Sequence, residues 1–218
     1  SEYPALMNKI SNLFYNLSNT KEDTLRNSMY SDNLKRKSHQ KKYKNIDAYL
    51  ASLGLVVEVS KDDQQNISRI SQMTQKTNQF NLTTKRYTEN DVKQFLESNE
   101  HIVYSFSVSD KFGNNGITAL SIINIEDKTA IIDTFLMSCR IIGRNIEFSI
   151  MNFIIRELRL LKIETLRSSY IESTKNIQVK RFYDDCSFQN TPVSKSQSDY
   201  KLKIIDYAII GMRNKKDF

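Results

Sequence analysis

The side chains best suited to chemistry lie in one segment, SCRIIGRNIE, at residues 138–147. A strand is predicted to end at Cys139, and a long helix is predicted to begin at the end of the segment. Unpaired amides at a helix N-terminus attract anions, and Arg140 and Arg144 add two positive charges beside them. Gly143 allows the backbone to approach a ligand closely. This pattern indicates a site of phosphate size, although a lone loop glycine is more often structural.

Cys139 is a candidate nucleophile. A thiolate is strongly nucleophilic, and both a neighbouring arginine and a nearby helix N-terminus favour the thiolate form. The alternative, a small apolar residue buried at the end of a core strand, stays open. Cys186 lacks such neighbours and is interpreted as structural. With two cysteines and two histidines, the chain has neither a disulfide framework nor zinc-ligand spacing, so no metal is expected.

Two further polar features have more than one interpretation. Asp110 ends a predicted strand and is a candidate base or orienting group, but an Asp before an FGNNG segment often only starts the turn. The tract MTQKTNQFNLTTKRY, residues 73–87, is rich in amides and hydroxyls. Such groups either position a polar ligand or brace irregular backbone. Its flanking helices and the embedded Phe80 and Leu82 indicate that the tract is folded.

The chain is basic, and most of its excess charge is local. The net charge is +7 over 218 residues, and residues 1–44 hold nine Lys/Arg against four Asp/Glu. KRKSHQKKYK, residues 35–44, has six basic residues and no acid. This run fits either a solvated helix face or contact with an acidic partner. Apart from Tyr43 it lacks the interleaved aromatic residues of nucleic-acid sites, so no nucleic-acid partner is expected.

The length suits one domain with a helical extension. No apolar run reaches the length that spans a bilayer, and the N-terminus does not have the pattern of a signal peptide. We therefore expect a cytoplasmic protein without membrane contact. The first residue is Ser rather than Met, which suggests a fragment of a longer protein.

Periodicity and turn residues predict an α+β arrangement that positions these groups. Helices are predicted at 5–16, from the Thr20 and Asp23 capping box into the basic run, at 45–53 before Gly54, from Asp62, at 88–98, at 146–161 and at 174–185. Strands are predicted at 55–59, 101–110, 116–126, 128–139, 163–171 and 201–210, with a loop at 194–199. The strands between 101 and 139 are expected to form an antiparallel meander.

The spacing of Arg140, Gly143 and Asn145 between a strand and a helix resembles the pyrophosphate-binding motif of the GNAT acyltransferase superfamily. That motif is Arg or Gln, x, x, Gly, x, Gly or Ala, so Asn145 departs from it. The resemblance implies an α+β GNAT-like fold with a mixed, mostly antiparallel central sheet and flanking helices. It also implies that Arg140, Gly143, Arg144, Asn145 and Asn176 contact CoA or a phosphopantetheine arm.

Asn176 belongs to a second match. TKNIQVKRFYDDCSF is similar to a later GNAT motif of Asn, a helix, Tyr and then Gly-Phe. Asn176, Tyr183 and Phe188 match it, whereas Ser187 replaces the glycine.

A narrower resemblance covers nearly the whole chain. RISQMTQKTNQFNLTTKRYTENDV, SDKFGNNGI and DTFLMSCRIIGRNIE look like the C-terminal region of FkbH-type proteins, which belong to the HAD superfamily and to methoxymalonyl-ACP and related polyketide biosynthesis. There, an N-terminal HAD domain acts on bisphosphoglycerate, and a glyceryl group ends on an acyl carrier protein. The Asp-x-Asp-x-Thr motif of that domain is missing here. The resemblance thus implies a helical arm at 1–44, following a missing HAD domain, and a GNAT-like domain at 45–218.

This resemblance also implies roles for the polar residues. Cys139 would carry the acyl group. Neutral donors and acceptors would bind the glyceryl hydroxyls; the candidates are Gln75, Asn78, Gln79, Asn81 and Thr83. No covalently bound cofactor and no metal are expected.

Three functions remain open at this stage. The leading one is a domain that receives or positions a glyceryl-type acyl group for an acyl carrier protein. The second is a catalytically silent GNAT scaffold that docks the carrier and orients the HAD domain. The third is a conventional CoA-dependent N-acetyltransferase.

Overall fold

A computed structural model describes residues 26–209, with side chains from Met29 onward. The predicted helix at 5–16 and the capping box of Thr20 and Asp23 lie outside the described residues. Within the described part, no helix combines the length and the apolar character needed to cross a membrane.

Short helices and long strands alternate along the chain. The helices are α1 (Arg26–Gln40), α2 (Ile46–Leu53), α3 (Ile67–Lys76), α4 (Glu89–Glu97), α5 (Ile146–Leu160) and α6 (Phe182–Asp185). The strands are β1 (Val56–Lys61), β2 (Phe80–Asn81), β3 (His101–Asp110), β4 (Gly113–Glu126), β5 (Thr129–Met137), β6 (Thr165–Ile171), β7 (Gln189–Pro192) and β8 (Gln197–Lys203). Single 3₁₀ turns occur at Gln64–Asn66, Ile177–Val179 and Ile204–Asp206.

Within residues 26–209 the strands form one sheet in the order β1-β3-β4-β5-β6-β8-β7, and β2 pairs with β5. All pairings are antiparallel except that of β5 with β6, which is parallel. The predicted meander from 101 to 139 is confirmed as β3, β4 and β5. The fold class, a mixed and mostly antiparallel sheet with flanking helices, is therefore as the sequence predicts.

Helices cover both faces of the central strands of the sheet. One face packs against α5, whose inner side is formed by Ile146, Ile150, Met151, Ile154, Ile155 and Leu158. The other face packs against α3 and α4 through Ile70, Met73 and Val92. Each fully buried aliphatic side chain stabilises the fold by about 1.5–3 kcal/mol. The α5 interface therefore helps to fix the position of the loop that precedes this helix.

Local capping follows the sequence closely. Asn45 caps α2 by accepting a hydrogen bond from the Asp47 amide, and Gly54 ends the helix with φ at +61°. Thr88 and Asp91 form the capping box of α4.

Five boundary predictions are wrong, and the residues that override them are mostly distant in sequence. The strand predicted at 201–210 ends at Lys203, where the 3₁₀ turn Ile204–Asp206 begins. Asp62 does not open a helix, because its carboxylate accepts the Val103 amide at 2.8 Å and its φ is +50°. The helix predicted at 174–185 is replaced by a 3₁₀ turn and the four-residue α6. The predicted loop at 194–199 overlaps β8, because Gln197–Lys203 pairs with the whole of β6. β5 ends at Met137, so Cys139 lies in the loop beyond it rather than in the strand.

Candidate functional site

The loop between β5 and α5, residues 138–145, forms the centre of the candidate site. Ile141 is fully buried and anchors the loop in the core. Gly143 and Asn145 both adopt left-handed backbone, with φ of +83° and +58°. Asparagine tolerates this conformation better than most residues, which accounts for Asn145 at the position where the motif has Gly or Ala. Cys139 is exposed, so the interpretation of a buried apolar cysteine is wrong.

Two cavities meet at Cys139. The large cavity has a volume of about 880 Å³ and lies between the loop, α1 and the C-terminal part of α3. The small cavity has a volume of about 430 Å³ and lies between the loop, α1 and the start of α2. The side chains that line both are Tyr30, Asn33, Cys139 and Arg140. The thiol therefore lies where a ligand in either cavity reaches it.

The small cavity is strongly basic. Its basic lining residues are Arg36, Lys37, Arg140 and Arg144, and Gly143 contributes backbone. Among the residues that the structure describes, no Asp or Glu lines it. A cavity of this charge and size suits a phosphate group.

Asp110 lies behind this cavity in a buried ion cluster. Its carboxylate accepts hydrogen bonds from Arg36 Nε at 2.6 Å and Arg36 Nη2 at 2.9 Å, and Arg144 Nη1 lies 3.3 Å away. The side chains of Asp110, Arg36 and Arg144 are 0%, 4% and 10% exposed. Two guanidinium groups thus share one carboxylate, and the cluster carries a net charge of +1 next to the cavity.

The electrostatics of Asp110 suit a structural ion better than a base. Burial alone would raise the pKa of Asp110, but hydrogen bonds from Arg36 and the Phe112 amide, with the charges of Arg36 and Arg144, hold that pKa below its usual value. Burial and the charge of Arg36 in turn lower the pKa of Arg144, and Asp110 opposes this. A carboxylate of lowered pKa that is engaged on both oxygens is a weak proton acceptor.

Arg140 lies beside Cys139 and is held by three elements. Its Nε donates to Ser138 Oγ at 3.2 Å, and its Nη1 contacts Met29 Sδ on α1 and the Asn115 carbonyl oxygen on β4. Arg140, like Cys139, lines both cavities. Arg144 instead donates to the Arg140 carbonyl oxygen at 2.9 Å and braces the loop.

The large cavity is polar and basic. Its basic lining residues are Arg69, Lys76, Arg140 and Lys175. Its amide and hydroxyl lining residues are Asn33, Gln72, Thr77, Asn78, Gln79, Ser138 and Thr174. These groups can bind both hydroxyls and anionic oxygens.

Of the five residues predicted to bind substrate, Asn78 and Gln79 line the large cavity. The side chains of the other three donate hydrogen bonds to backbone carbonyl oxygens. Gln75 donates to the Tyr87 carbonyl oxygen at 3.1 Å, and Thr83 donates to that of Asp133 at 3.0 Å. Asn81 is fully buried and donates to the Thr77 carbonyl oxygen at 3.2 Å. The alternative that amides of this tract brace the loop is therefore correct for these three.

Asn176 has no exposed surface, and its amide is fully engaged. Its Nδ2 donates to the carbonyl oxygens of Asn81 at 2.8 Å and Ile171 at 2.9 Å. Its Oδ1 accepts from the Ser173 amide at 2.7 Å and the Tyr170 hydroxyl at 3.1 Å. The geometry assigns Asn176 to holding the chain together rather than to contact with a cofactor.

The other matches in the later motif are also buried. Tyr183 is 1% exposed, and burial raises the pKa of its hydroxyl far above the usual value. Ser187 has φ at +64°, a conformation that glycine adopts more easily. This segment therefore presents no tyrosine to either cavity.

Sequence reasoning missed the contribution of α1. Arg36 lies in the basic run, which reads equally well as a solvated helix face. The available signal is the spacing of Met29, Asn33, Arg36 and Gln40, which places them on one face of a helix. Three of these four residues are polar, so this face has no apolar stripe that would reveal it.

Within residues 26–209, no group of three or more His, Cys, Asp or Glu side chains is arranged to hold a metal ion.

Comparison with known proteins identifies the fold. The chain is similar to the ribosomal-protein-S18-alanine N-acetyltransferase of Escherichia coli, at 10% identity and a TM-score of 0.54 over 75% of this chain and 99% of that one. It is similar to an N-acetyltransferase of Staphylococcus aureus Mu50, at 17% identity and a TM-score of 0.52 over 69% and 99% of the two chains. The GNAT domain of S. lividans PAT gives 11% identity and a TM-score of 0.54 over 67% and 90%.

No protein-family model matches the sequence, and no curated protein matches it significantly. The structural neighbours show that the chain has the GNAT fold.

Proposed function

We propose that this chain is an acyl-transfer domain in which Cys139 receives a glyceryl-type acyl group for the pantetheine thiol of an acyl carrier protein. The observation that carries this proposal is the position of Cys139, an exposed thiol at the junction of two cavities with different linings. One cavity suits a phosphate, and the other suits a polar acyl group. A thioester substrate that joins these two chemical groups has its reactive carbon between them.

The small cavity would take the phosphate of the phosphopantetheine arm. The buried cluster of Arg36, Asp110 and Arg144 contributes one net positive charge, and Lys37 and Arg140 add two more. Lys37 is exposed at the mouth of the cavity, where it would also attract an acidic carrier protein.

The large cavity would take the acyl group. Thr77, Asn78, Gln79 and Thr174 lie on its lining. Neutral amides and hydroxyls suit the hydroxyl groups of a glyceryl chain. Lys76 and Lys175 also line this cavity, where they can bind an anionic substituent such as a phosphate.

The chemical step is a thioester exchange. The Cys139 thiolate attacks the carbonyl carbon of the incoming acyl group, and a new carbon–sulfur bond forms as the bond to the donor thiol breaks. The pantetheine thiol of the carrier then attacks the same carbon, takes the acyl group and returns the Cys139 thiolate. No electrons are transferred to an outside partner. The donor thiolate released in the first step takes up a proton from solvent, and the pantetheine thiol gives up its proton to solvent in the second step, so the Cys139 thiolate is regenerated and the two steps balance.

The resemblance to FkbH-type proteins supports a glyceryl group as the cargo and a carrier protein as its destination. In that setting a HAD domain outside this chain would supply the acyl group, and residues 1–44 would link it to the GNAT-like domain at 45–218. The described part of that arm, α1, packs on the site through Arg36 and Met29. A linker that forms one wall of both cavities would couple the two domains directly.

The proposal is tested by intact mass. The protein is incubated with a glyceryl thioester of pantetheine, and we expect a covalent adduct of one glyceryl group that maps to the peptide containing Cys139. The Cys139→Ala variant should form no adduct. Cys186, which is fully buried, serves as the internal control and should stay unmodified. An adduct that persists in Cys139→Ala would exclude Cys139 as the acyl carrier.

A second candidate, a silent GNAT scaffold that docks the carrier, is favoured by one observation. Asp110, Asn176 and Tyr183 are all buried and engaged with other protein groups or with the core. Titration with the carrier protein separates the two functions. Pure docking would give equal affinities for the apo-carrier and the holo-carrier, whereas the acyl-transfer proposal requires tighter binding of the holo-carrier.

A further inference from the structure

The parallel strands β5 and β6 pair over only part of their length. Their register joins Thr129–Ile132 to residues 165–168, after which the two strands separate. β5 continues to Met137 and β6 to Ile171, so both strands extend beyond the paired region. A gap between two diverging strands presents unpaired backbone amides and carbonyls on both sides.

Such a gap is a natural site for an extended ligand with amide groups. Peptides bind open strand edges by adding a strand, with main-chain hydrogen bonds to one or both sides. The pantetheine arm of CoA carries two amides in an extended chain and can form the same kind of hydrogen bonds. A GNAT fold with an open gap here would therefore offer CoA a place next to the loop at 138–145.

In this protein the gap is filled by its own backbone. Phe80 pairs with Met137 and Asn81 with Leu136 in antiparallel register. The Leu82 amide donates to the Phe135 carbonyl oxygen at 3.2 Å. On the opposite side, the Ile171 amide donates to the Leu82 carbonyl oxygen at 2.8 Å. Residues 80–82 thus bridge β5 and β6 where the two strands no longer pair.

Side chains hold this segment firmly. Phe80 is 3% exposed, and its ring centroid lies 5.8 Å from that of Phe135 and 5.3 Å from that of Phe182. Leu82 has no exposed surface. Asn176 donates to the Asn81 carbonyl oxygen and to that of Ile171, which joins the segment to the end of β6.

The closed gap also explains why the tract at 73–87 is rich in amides and hydroxyls. A single segment that crosses between two strands leaves many backbone groups without regular partners. Asn81 and Thr83 supply side-chain hydrogen bonds for these groups, and the Asn81 Oδ1 accepts the Thr84 amide at 2.9 Å. The amide-rich composition therefore builds the segment that closes the gap.

We propose that residues 80–82 permanently occupy the gap between β5 and β6, so that the pantetheine arm of CoA or of a carrier protein is excluded from it. A pantetheine-bearing ligand then reaches Cys139 from the α1 side, along the small cavity. This second part rests on the proposed function, whereas the closure of the gap does not depend on it. The closure selects against ligands that bind by adding a strand at this position.

Hydrogen exchange followed by mass spectrometry tests the closure. In the protein alone, peptides that cover residues 79–84 and 169–173 should exchange slowly, because the amides of Leu82 and Ile171 are hydrogen-bonded within the gap. Saturating CoA should leave their exchange unchanged. Fast exchange in the free protein, or a tenfold or greater increase when CoA is added, would overturn the proposal, since CoA could enter only by displacing the segment.

A carrier protein with its pantetheine arm tests the route. When holo-carrier is added, we expect slower hydrogen exchange in peptides of α1 and unchanged hydrogen exchange in residues 79–84. Deprotection of residues 79–84 by holo-carrier would contradict the proposal even if Cys139 becomes acylated. Conversely, if no Cys139 adduct forms but residues 79–84 stay protected from exchange, the proposed function is refuted and the closure of the gap is not.

A variant checks that Asn176 holds the segment. Asn176→Ala should increase exchange at least tenfold in both gap peptides together, while peptides of α1 stay unchanged. Asn99→Ala, at an exposed turn position, is the matched control and should change neither peptide. The milder Gln178→Ala, which loses only a 3.3 Å hydrogen bond to the Gln79 carbonyl oxygen, covers the case in which Asn176→Ala does not fold. If the exchange of residues 79–84 is as slow in these variants as in the control, the side-chain anchoring is wrong.

Discussion

Replacing Asp110 with Asn should destabilise the protein more than removing one of its arginine partners. The Asp110 carboxylate joins α1 to the turn between β3 and β4 and to the loop before α5. The Asp110→Asn side chain has nearly the same shape but no charge. It would leave the guanidinium groups of Arg36 and Arg144 buried together without an anion.

The expected magnitude follows from the charge balance. Removing one partner of a buried ion pair costs about 3–5 kcal/mol, because the remaining charge stays desolvated. Asp110→Asn leaves two such charges, so we expect a loss in that range. Arg36→Met leaves the pair of Asp110 and Arg144 at 3.3 Å, which is neutral overall. Its expected cost is the loss of charge-assisted hydrogen bonds, about 1.5–3 kcal/mol.

Urea unfolding followed by circular dichroism measures these differences, and Asp127→Asn is the matched control. Asp127 is exposed and has φ at +52°, which asparagine tolerates, so the control should change the free energy of unfolding by less than about 0.5 kcal/mol. If Asp110→Asn is as stable as the wild type, the cluster does not stabilise α1. Asp110 would then be a candidate base again.

Three further outcomes follow from the same contacts. Folding lowers the pKa of Asp110, so the ionised Asp110 contributes to stability above its unfolded pKa of 3.8. This contribution is lost as the pH falls through the lower pKa of the folded state. The stabilities of wild type and Asp110→Asn should therefore converge in acid, measured by acid unfolding. Lys37→Glu should weaken the binding of an acidic carrier protein by about twofold to fivefold at low salt and by less at high salt, as measured by calorimetry. A loss of affinity that does not depend on salt would contradict an electrostatic role for Lys37. Asn176→Ala should lower the free energy of unfolding by about 2–4 kcal/mol, because its buried partners lose their hydrogen bonds. The control Asn99→Ala should change it by less than about 0.5 kcal/mol. An equally small change in Asn176→Ala would contradict the role of this amide.

The parts of the fold that sequence reasoning predicts are those encoded locally. The apolar spacing of α5, the C-cap Gly54 and the capped helix after Thr88 each depend on a few neighbouring residues, and all are confirmed. The three-stranded meander is likewise set by short turns between strands.

The parts that sequence reasoning does not predict depend on distant partners. Arg36 and Asp110 are 74 positions apart, and neither shows its pairing in its own segment. The helix predicted at 174–185 is interrupted because Phe182 packs among the aromatic rings of the core, and because Asn176 turns back to Asn81. The sequence predicts Cys139 as the last residue of a strand, whereas β5 ends at Met137, and the cavities on either side of Cys139 require α1 and α3 together.

The central claim is that Cys139 carries an acyl group between two thiols, and a single-turnover transfer measures this most directly. The glyceryl adduct of the full chain is isolated and mixed with either holo-carrier or apo-carrier, and the intact masses of both proteins are followed over time. We predict that the adduct leaves Cys139 and appears on the holo-carrier with equal stoichiometry, while apo-carrier leaves it in place. An adduct that is lost at the same rate with either carrier, without a mass gain on the holo-carrier, would contradict the account.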